Sequence, residues 1–282
     1  MFSLLQKKDL LKAPKKRRGR NTVPIIILCG NAGTGKDTVG NYLHSNHGAV
    51  TIAQADPMKR ICKSIFGFSD KQLWGPSQFR NEIDPRFPKD KNVGNHHFDG
   101  IDLEGFFSKA FPELNENDTA WYGFESWFYD CISQATECGL TPRFCLQTLG
   151  TEWGRAVDQD LWTRIAVDTA FKLLGDPDLC YTHSGGLMER EAEDRRWESG
   201  LVVITDGRFR SEILSVSRVG GFAIKIVRPG VISLGEHASE SELKDIPEIF
   251  FDAVINNNDS LDFLRVKTDQ MVGRLIRKAT KF

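Results

Sequence analysis

The sequence predicts an α/β protein built on a doubly wound parallel sheet of five strands, and three observations carry that expectation. Five short apolar runs, VPIIILC, AVTIAQ, LVVIT, FAIKIV and DAVIN, are each bounded by Gly, Pro or a helix-start signal, the pattern of strands buried on both faces. Stretches of helical periodicity separate them, which is the rhythm of strand, crossover and parallel strand. The first run leads directly into a glycine-rich loop, GNAGTGK, and then into the helical positions Val39 and Leu43. Folds of this class bind ligands beyond the carboxyl ends of their strands.

The chain has 282 residues and a formal net charge of −1, so it can bury a full core and carries no whole-molecule field tuned to nucleic acid or membrane. Charge is concentrated at the N-terminus, where QKKDLLKAPKKRRGRNT sets eight basic residues against Asp9. Residues 1–22 read as a disordered basic extension, with a localisation signal or a weak nucleic-acid contact as the alternative. Residues 23–282 read as one domain. No apolar run approaches the ~18 residues of a membrane span and no secretory h-region is present, so a soluble, cytoplasmic protein is expected. The six cysteines contain no C-x-x-C pair and read as reduced, buried thiols. His96 and His97 lie in a Gly/Asn/Asp-rich stretch without ligand-spaced partners, and a solvated loop is expected there.

Two stretches break the rhythm. From about 68 to 130 the pattern is irregular and aromatic-rich, with Trp74, Phe79, Phe87, Phe98, Phe106, Phe107, Trp121, Trp127 and Tyr129, which suits a partly helical insertion near an acceptor site. Residues 175–200 are Gly-rich and then heavily charged, as in an exposed excursion.

Gly30, Asn31, Ala32, Gly33, Thr34, Gly35 and Lys36 match the phosphate loop G-x-x-x-x-G-K, whose backbone N–H groups wrap a phosphate chain while the lysine reaches the β and γ phosphates. The strand before it and the helix after it supply the context the motif requires. A hydroxyl normally follows the lysine and holds Mg²⁺. Here Asp37 does, and Thr38 comes one residue later. Asp37 either helps to hold the metal or serves the helix N-terminus, where carboxylates are favoured.

In TPRFCLQTLGTEWGRAVDQDLW, Thr141 and Pro142 read as a helix cap and first turn. Leu146, Leu149, Trp153 and Val157 form an apolar face at spacings of three and four. Arg143, Gln147, Gly150, Thr151 and Gly154 form a second stripe. Two helical glycines cost about 1 kcal/mol each relative to alanine, so something must approach closely, either a ligand or another helix. Arg143 and Gln147 offer donors suited to a phosphate and a base edge. Trp162 reads either as a base-stacking ring or as core. In LVVITDGRFRSEI, Asp206 ends a strand as the carboxylate near Mg²⁺ does in nucleotide enzymes. Arg208 and Glu212 follow four apart, the spacing of a surface ion pair. Arg208 and Arg210 arrive where a phosphoryl group would be gripped, and Arg228 ends the next strand at the same sheet edge.

Taken in order, GTGKDTVG, PRFCLQTLGTEWGR, ITDGRFRSE, IVRPG and AVINNNDSLDFL resemble the deoxynucleoside monophosphate kinases of tailed bacteriophages, from about Val23 to about Leu264. The resemblance implies an adenylate-kinase-like fold and transfer of the γ-phosphoryl of ATP, with Mg²⁺, to a deoxynucleoside 5′-monophosphate. It implies that Lys36, Asp37 and Thr38 hold ATP and metal, with Asp206 as a further metal-side carboxylate. Arg143, Gln147, Gly150, Thr151 and Trp162 would line the acceptor pocket, and Asp206, Arg208 and Glu212 would complete the centre. Residues 229–247 occupy the position of the lid, where Arg228, His237 and Glu240 become lid contacts. The oligomeric state stays open, a homodimer included. Two alternatives stand beside this reading. A phosphomevalonate-kinase-like enzyme would share the G-K-D loop and the HASE segment, His237 to Glu240. A non-catalytic nucleotide-dependent binding protein would use the basic extension on nucleic acid.

Overall fold

The computed structural model describes residues 24–89, 98, 100–190, 200–230, 243 and 245–279. The basic extension, His96, His97, His237 and Glu240 lie outside the described residues. The chain divides into two compact units, one of Met1–Gln54, Thr163–Thr182 and Leu187–Phe282, the other of Ala55–Trp162 and His183–Gly186.

The strands of the described chain are β1 (Ile25–Cys29), β2 (Val50–Ile52), β3 (Leu179–Thr182), β4 (Gly186–Glu189), β5 (Val202–Gly207), β6 (Phe222–Val227) and β7 (Ala253–Asn256). The five runs read from the sequence form one sheet in the order β2-β5-β1-β6-β7, with neighbouring strands parallel. β3 and β4 pair with each other inside the stretch read as irregular. Their short alternating segments are too weak a pattern to separate from loop in a charged sequence.

The sheet of the first unit is covered on both faces, and the pleat decides which residue goes where. Ile25, Ile27 and Cys29 of β1 face Ala166, Val167 and Ala170 of the helix Leu161–Gly175 and Ile213 and Val216 of the helix Arg210–Arg218. Ile26 and Leu28 face Val39 and Leu43 of the helix Lys36–His47 and Leu264, Met271 and Val272 of the helix Leu261–Ala279. Such all-round burial is why these strands read as continuous apolar runs rather than alternating ones.

The second unit is helical among its described residues and has an aromatic core of its own. Phe66 contacts Phe68, Phe98, Trp127 and Phe128, while Phe111 and Phe124 both contact Trp153 at ring-centroid distances of 4.9 and 5.4 Å. Asp56, fully buried at the start of the helix Ala55–Phe66, accepts from Trp74 Nε1 at 2.9 Å and pairs with His183 Nδ1 at 2.6 Å. These partners hold its carboxyl below the usual aspartate value against the opposing effect of burial. Among the described residues, no helix is long and apolar enough to cross a membrane.

Candidate active site

Beyond Cys29 the chain turns through Gly30–Gly35 into the helix α1 (Lys36–His47). Gly33 and Gly35 adopt φ of 76° and 103°, a region that side chains rarely enter. At Gly30 the constraint is space, since a Cβ would stand 2.6 Å from Thr34 Oγ1 and 2.7 Å from the Ile226 carbonyl oxygen. The loop is braced internally by Thr34 Oγ1 donating to Asn31 O at 2.8 Å. Ala32 and Gly33 are exposed at its tip.

Lys36 Nζ donates to Gly30 O at 2.6 Å and to Asn31 O at 2.8 Å, so the ammonium is folded across the loop. Burial, then the neighbouring positive charge of Arg208, holds its pKa below the ordinary lysine value. Asp37 and Thr38 are exposed in the first turn of α1. The helix N-cap is Gly35 and no side chain caps it, so Asp37 is no cap, although it sets a negative charge in the first turn, where the helix favours one.

The neighbouring strand delivers the second carboxylate. In the β1·β5 register Cys29 lies beside Gly207, where a Cβ would come within 2.7 Å of Ile27 Cγ1 and 2.8 Å of Cys29 Sγ. That contact requires glycine after Asp206 and sets Asp206 at the same sheet edge as the loop. Asp206 Oδ1 accepts from Gln54 N at 2.9 Å, at the end of the run that contains β2. Asp206, Asp37 and Arg208 all act electrostatically on Lys36. Arg208 and Arg228 are exposed just past β5 and β6.

Glu212 departs from the surface ion pair its spacing suggested. It is 8% exposed, and its Oε2 accepts from the backbone N–H groups of Arg208 at 2.7 Å and Phe209 at 2.9 Å. The carboxylate turns inward because the helix Arg210–Arg218 starts with N–H groups that need acceptors. Burial raises its pKa to about 7, with the charge of Asp206 adding to that and the two backbone bonds and the Gln54 side chain opposing it. Its position fastens the turn that carries Arg208.

These residues fit Mg²⁺-ATP on the structure's own terms. Asn31 Oδ1 is buried without a hydrogen-bond partner among the described residues. An asparagine amide there can turn oxygen to a cation or nitrogen to a phosphate. Asp37, Thr38 and Asp206 carry carboxylate and hydroxyl oxygens, which are the hard donors that Mg²⁺ takes.

In the second unit, Thr141 caps the helix Pro142–Gln147, accepting from Phe144 N at 3.2 Å. The helix then widens into a π-helical segment, Thr148–Gly154, rather than continuing as the α-helix its spacings predict. Side chains add to the bonds on the carbonyls of the preceding turn, which the Thr148 backbone N–H also reaches: Thr148 Oγ1 donates to Phe144 O at 2.8 Å, and Trp127 Nε1 to Cys145 O at 3.2 Å. The stripe splits accordingly. Gly150 and Gly154 are buried, and Cβ atoms there would meet Met58 Sδ at 2.7 Å and Trp162 Nε1 at 2.5 Å. Gln147 and Thr151 are exposed, and Arg143 is half-buried with its Nε donating to Asn81 Oδ1. Trp162 is 6% exposed, packs against Trp153 and Phe111, and donates to Gly150 O at 3.0 Å. Its placement is that of a core side chain rather than of a stacking platform.

Three residues emerge that sequence reasoning did not single out. Gln54 carries the bond to Asp206, and a polar residue closing an apolar strand was its only signal. Asn257 Nδ2 donates to Thr34 O at 2.9 Å, its signal being the AVINNND segment after the last strand. Arg80, anchored to Leu73 O and Gly75 O at 3.0 and 3.1 Å, has its pKa lowered by burial and by Arg143 close by. Nothing in the sequence pairs these two arginines, which lie 63 positions apart. Together they make a double cation of the kind that receives a phosphate.

No protein-family model matches the chain. Over 238 residues it is 27% identical to a protein of Acanthamoeba polyphaga mimivirus named "Putative deoxynucleotide monophosphate kinase", an alignment covering 84% of this chain and 90% of that protein.

Proposed function

We propose that the protein is a deoxynucleoside monophosphate kinase, transferring the γ-phosphoryl of ATP to a dNMP to give ADP and dNDP. The observation that carries this reading is the phosphate loop itself, with glycine forced at Gly30, Gly33 and Gly35 and Lys36 folded across it beside Asp206. The name of the mimiviral protein supports the choice of acceptor class.

An acceptor phosphate oxygen attacks the γ-phosphorus of ATP as the bond to the β–γ bridging oxygen breaks, and ADP leaves. The acceptor is already an anion at pH 7, so no general base is required. Positioning and positive charge do most of the catalytic work in such transfers. Lys36 and the loop N–H groups hold the β and γ phosphates, and Arg208, fastened by Glu212, supplies charge to the transferred group. Asp37, Thr38 and Asp206 would hold Mg²⁺, which would neutralise phosphate charge. Arg143, with Arg80, grips the acceptor phosphate. Gln147 and Thr151, exposed on this segment, form the base side of the pocket, and the packed Gly150 and Trp162 keep the backbone there in shape. Arg228, exposed just past β6, adds positive charge at the same sheet edge.

The test is ADP release with Mg-ATP against the common dNMPs, the matching NMPs and mevalonate 5-phosphate. Turnover with one or more dNMPs is expected, falling by about a hundredfold or more in Lys36→Ala, as loss of a charged transition-state contact implies. Turnover of mevalonate phosphate alone would reassign the acceptor. Silence with every acceptor would sink the kinase reading.

A further inference from the structure

We infer that Asn257 is a positioning residue for the phosphate loop, its side-chain amide fixing the Thr34–Gly35 peptide so that the Gly35 N–H is aimed away from Asn257. This inference rests on the nucleotide reading of the loop and names a residue, 223 positions further along the chain, that sets the loop's geometry.

Three observations carry it. Asn257 Nδ2 donates to Thr34 O at 2.9 Å. A trans peptide is planar, with its C=O and N–H pointing in opposite directions, so holding the Thr34 oxygen also sets the direction of the Gly35 N–H. That N–H belongs to the last residue before Lys36, at the start of α1, where such groups bind phosphate. Second, a Cβ on Gly35 would lie 2.7 Å from Asn257 Nδ2. The motif's second glycine is thus required by its φ of 103° and also by the asparagine packed against it. Third, Asn257 is itself held, because its backbone N–H donates to Val227 O at 2.7 Å and continues the β6·β7 ladder one residue past the strand. The anchor therefore runs from the sheet, through one amide, to the peptide before the catalytic lysine.

The chemistry is directional. A carbonyl oxygen accepts only, so the 257 side chain must donate. Asn257→Asp keeps the shape and removes the donor at pH 8, setting a carboxylate against the carbonyl, while Asn257→Ala removes the contact altogether.

Two readouts on the full chain decide the matter. Amide hydrogen exchange over residues 31–37 without ligand is expected to quicken several-fold in both variants. ADP affinity measured by titration calorimetry, with Lys36→Ala as the blank, is expected to weaken about tenfold, as loss of a hydrogen bond to a buried carbonyl implies. In steady state the KM for ATP rises by a like factor and the KM for the acceptor holds. A merely structural role would lower kcat through the folded fraction and leave both KM values unchanged. Unchanged exchange, or quickened exchange with wild-type ADP affinity, would overturn the inference. A wild-type protein that binds no ADP would overturn the nucleotide reading instead, while the exchange comparison still decides whether Asn257 holds the loop.

Discussion

Burial raises the Glu212 carboxyl from 4.5 to about 7, which makes stability depend on pH in a definite direction. Between those values the unfolded chain has lost its proton and the folded chain keeps it, so the carboxyl's contribution falls as pH rises and levels off above about 7. Glu212→Gln cannot ionise and keeps an oxygen for the Arg208 and Phe209 N–H groups. Its melting temperature is expected to vary less than the parent's between pH 4.5 and 7 and to exceed it at pH 8, with a gain bounded on the order of 3 kcal/mol. Asp56, Asp84 and Asp269 shift the opposite way, so their contributions are lost on acidification below the usual aspartate range and leave this window clear. Parallel parent and variant pH curves would show that Glu212 is not the titrating group. The same residue shows how far reading by residue goes. Gly30–Lys36 was legible because its constraints are local: backbone φ, a tight turn and a reaching lysine. Spacing alone offered Glu212 as half of an ion pair, while the resemblance set it at the centre, because i,i+4 spacing says which side chains can meet but not which way they turn. Asn257 and Gln54 act through tertiary neighbours that no local pattern records.

At the scale of elements, the segment from Pro142 to Gly154 was legible in its capped start and in its demand for close approach. Its winding was not. Periodicity assumes an α-helix, whereas here the Phe144 and Cys145 carbonyls accept side-chain donors as well as the Thr148 N–H, and the turn beyond them widens. The glycines then serve packing within the unit, and that has a measurable consequence. A methyl on Gly154 would collide with the rigid Trp162 indole, hydrogen-bonded and wedged between Trp153 and Phe111. A methyl on Gly150 would meet Met58 Sδ, on a flexible chain that can move aside. Gly154→Ala is therefore expected to cost about 1–3 kcal/mol in denaturant unfolding, near the usual range for overpacking, and Gly150→Ala less. Equal losses, or a larger loss at Gly150, would contradict this account of the stripe. The hairpin β3-β4 escaped for a different reason, since its strands are short and sit in a charged, Gly-rich stretch with little apolar contrast.

For the whole molecule, the five strands were legible because each is buried on both faces and so announces itself as an apolar run, and their helical spacers imply parallel pairing. The aromatic middle gave no such period, because its rings pack on one another through long-range contacts such as those of Phe111 and Phe124 with Trp153. The residues assigned to the two substrates fall into different compact units: Lys36, Asp206 and Arg208 in one, and Arg80, Arg143 and Gln147 in the other. This membership makes the substrates separable by mutation. Arg143→Ala removes a guanidinium whose Nε donates to Asn81 Oδ1 and which lies far from the loop in sequence. Loss of a charge-assisted bond to phosphate corresponds to roughly a ten- to hundredfold rise in the KM for dNMP. ADP affinity, which depends on Lys36 and the loop, is expected to stay within about twofold, the scatter usual for independent sites. A matched loss of ADP and acceptor affinity would show that Arg143 serves the ATP side, while an unchanged KM for dNMP would remove it from the acceptor site and leave Arg80 as the cation to test there.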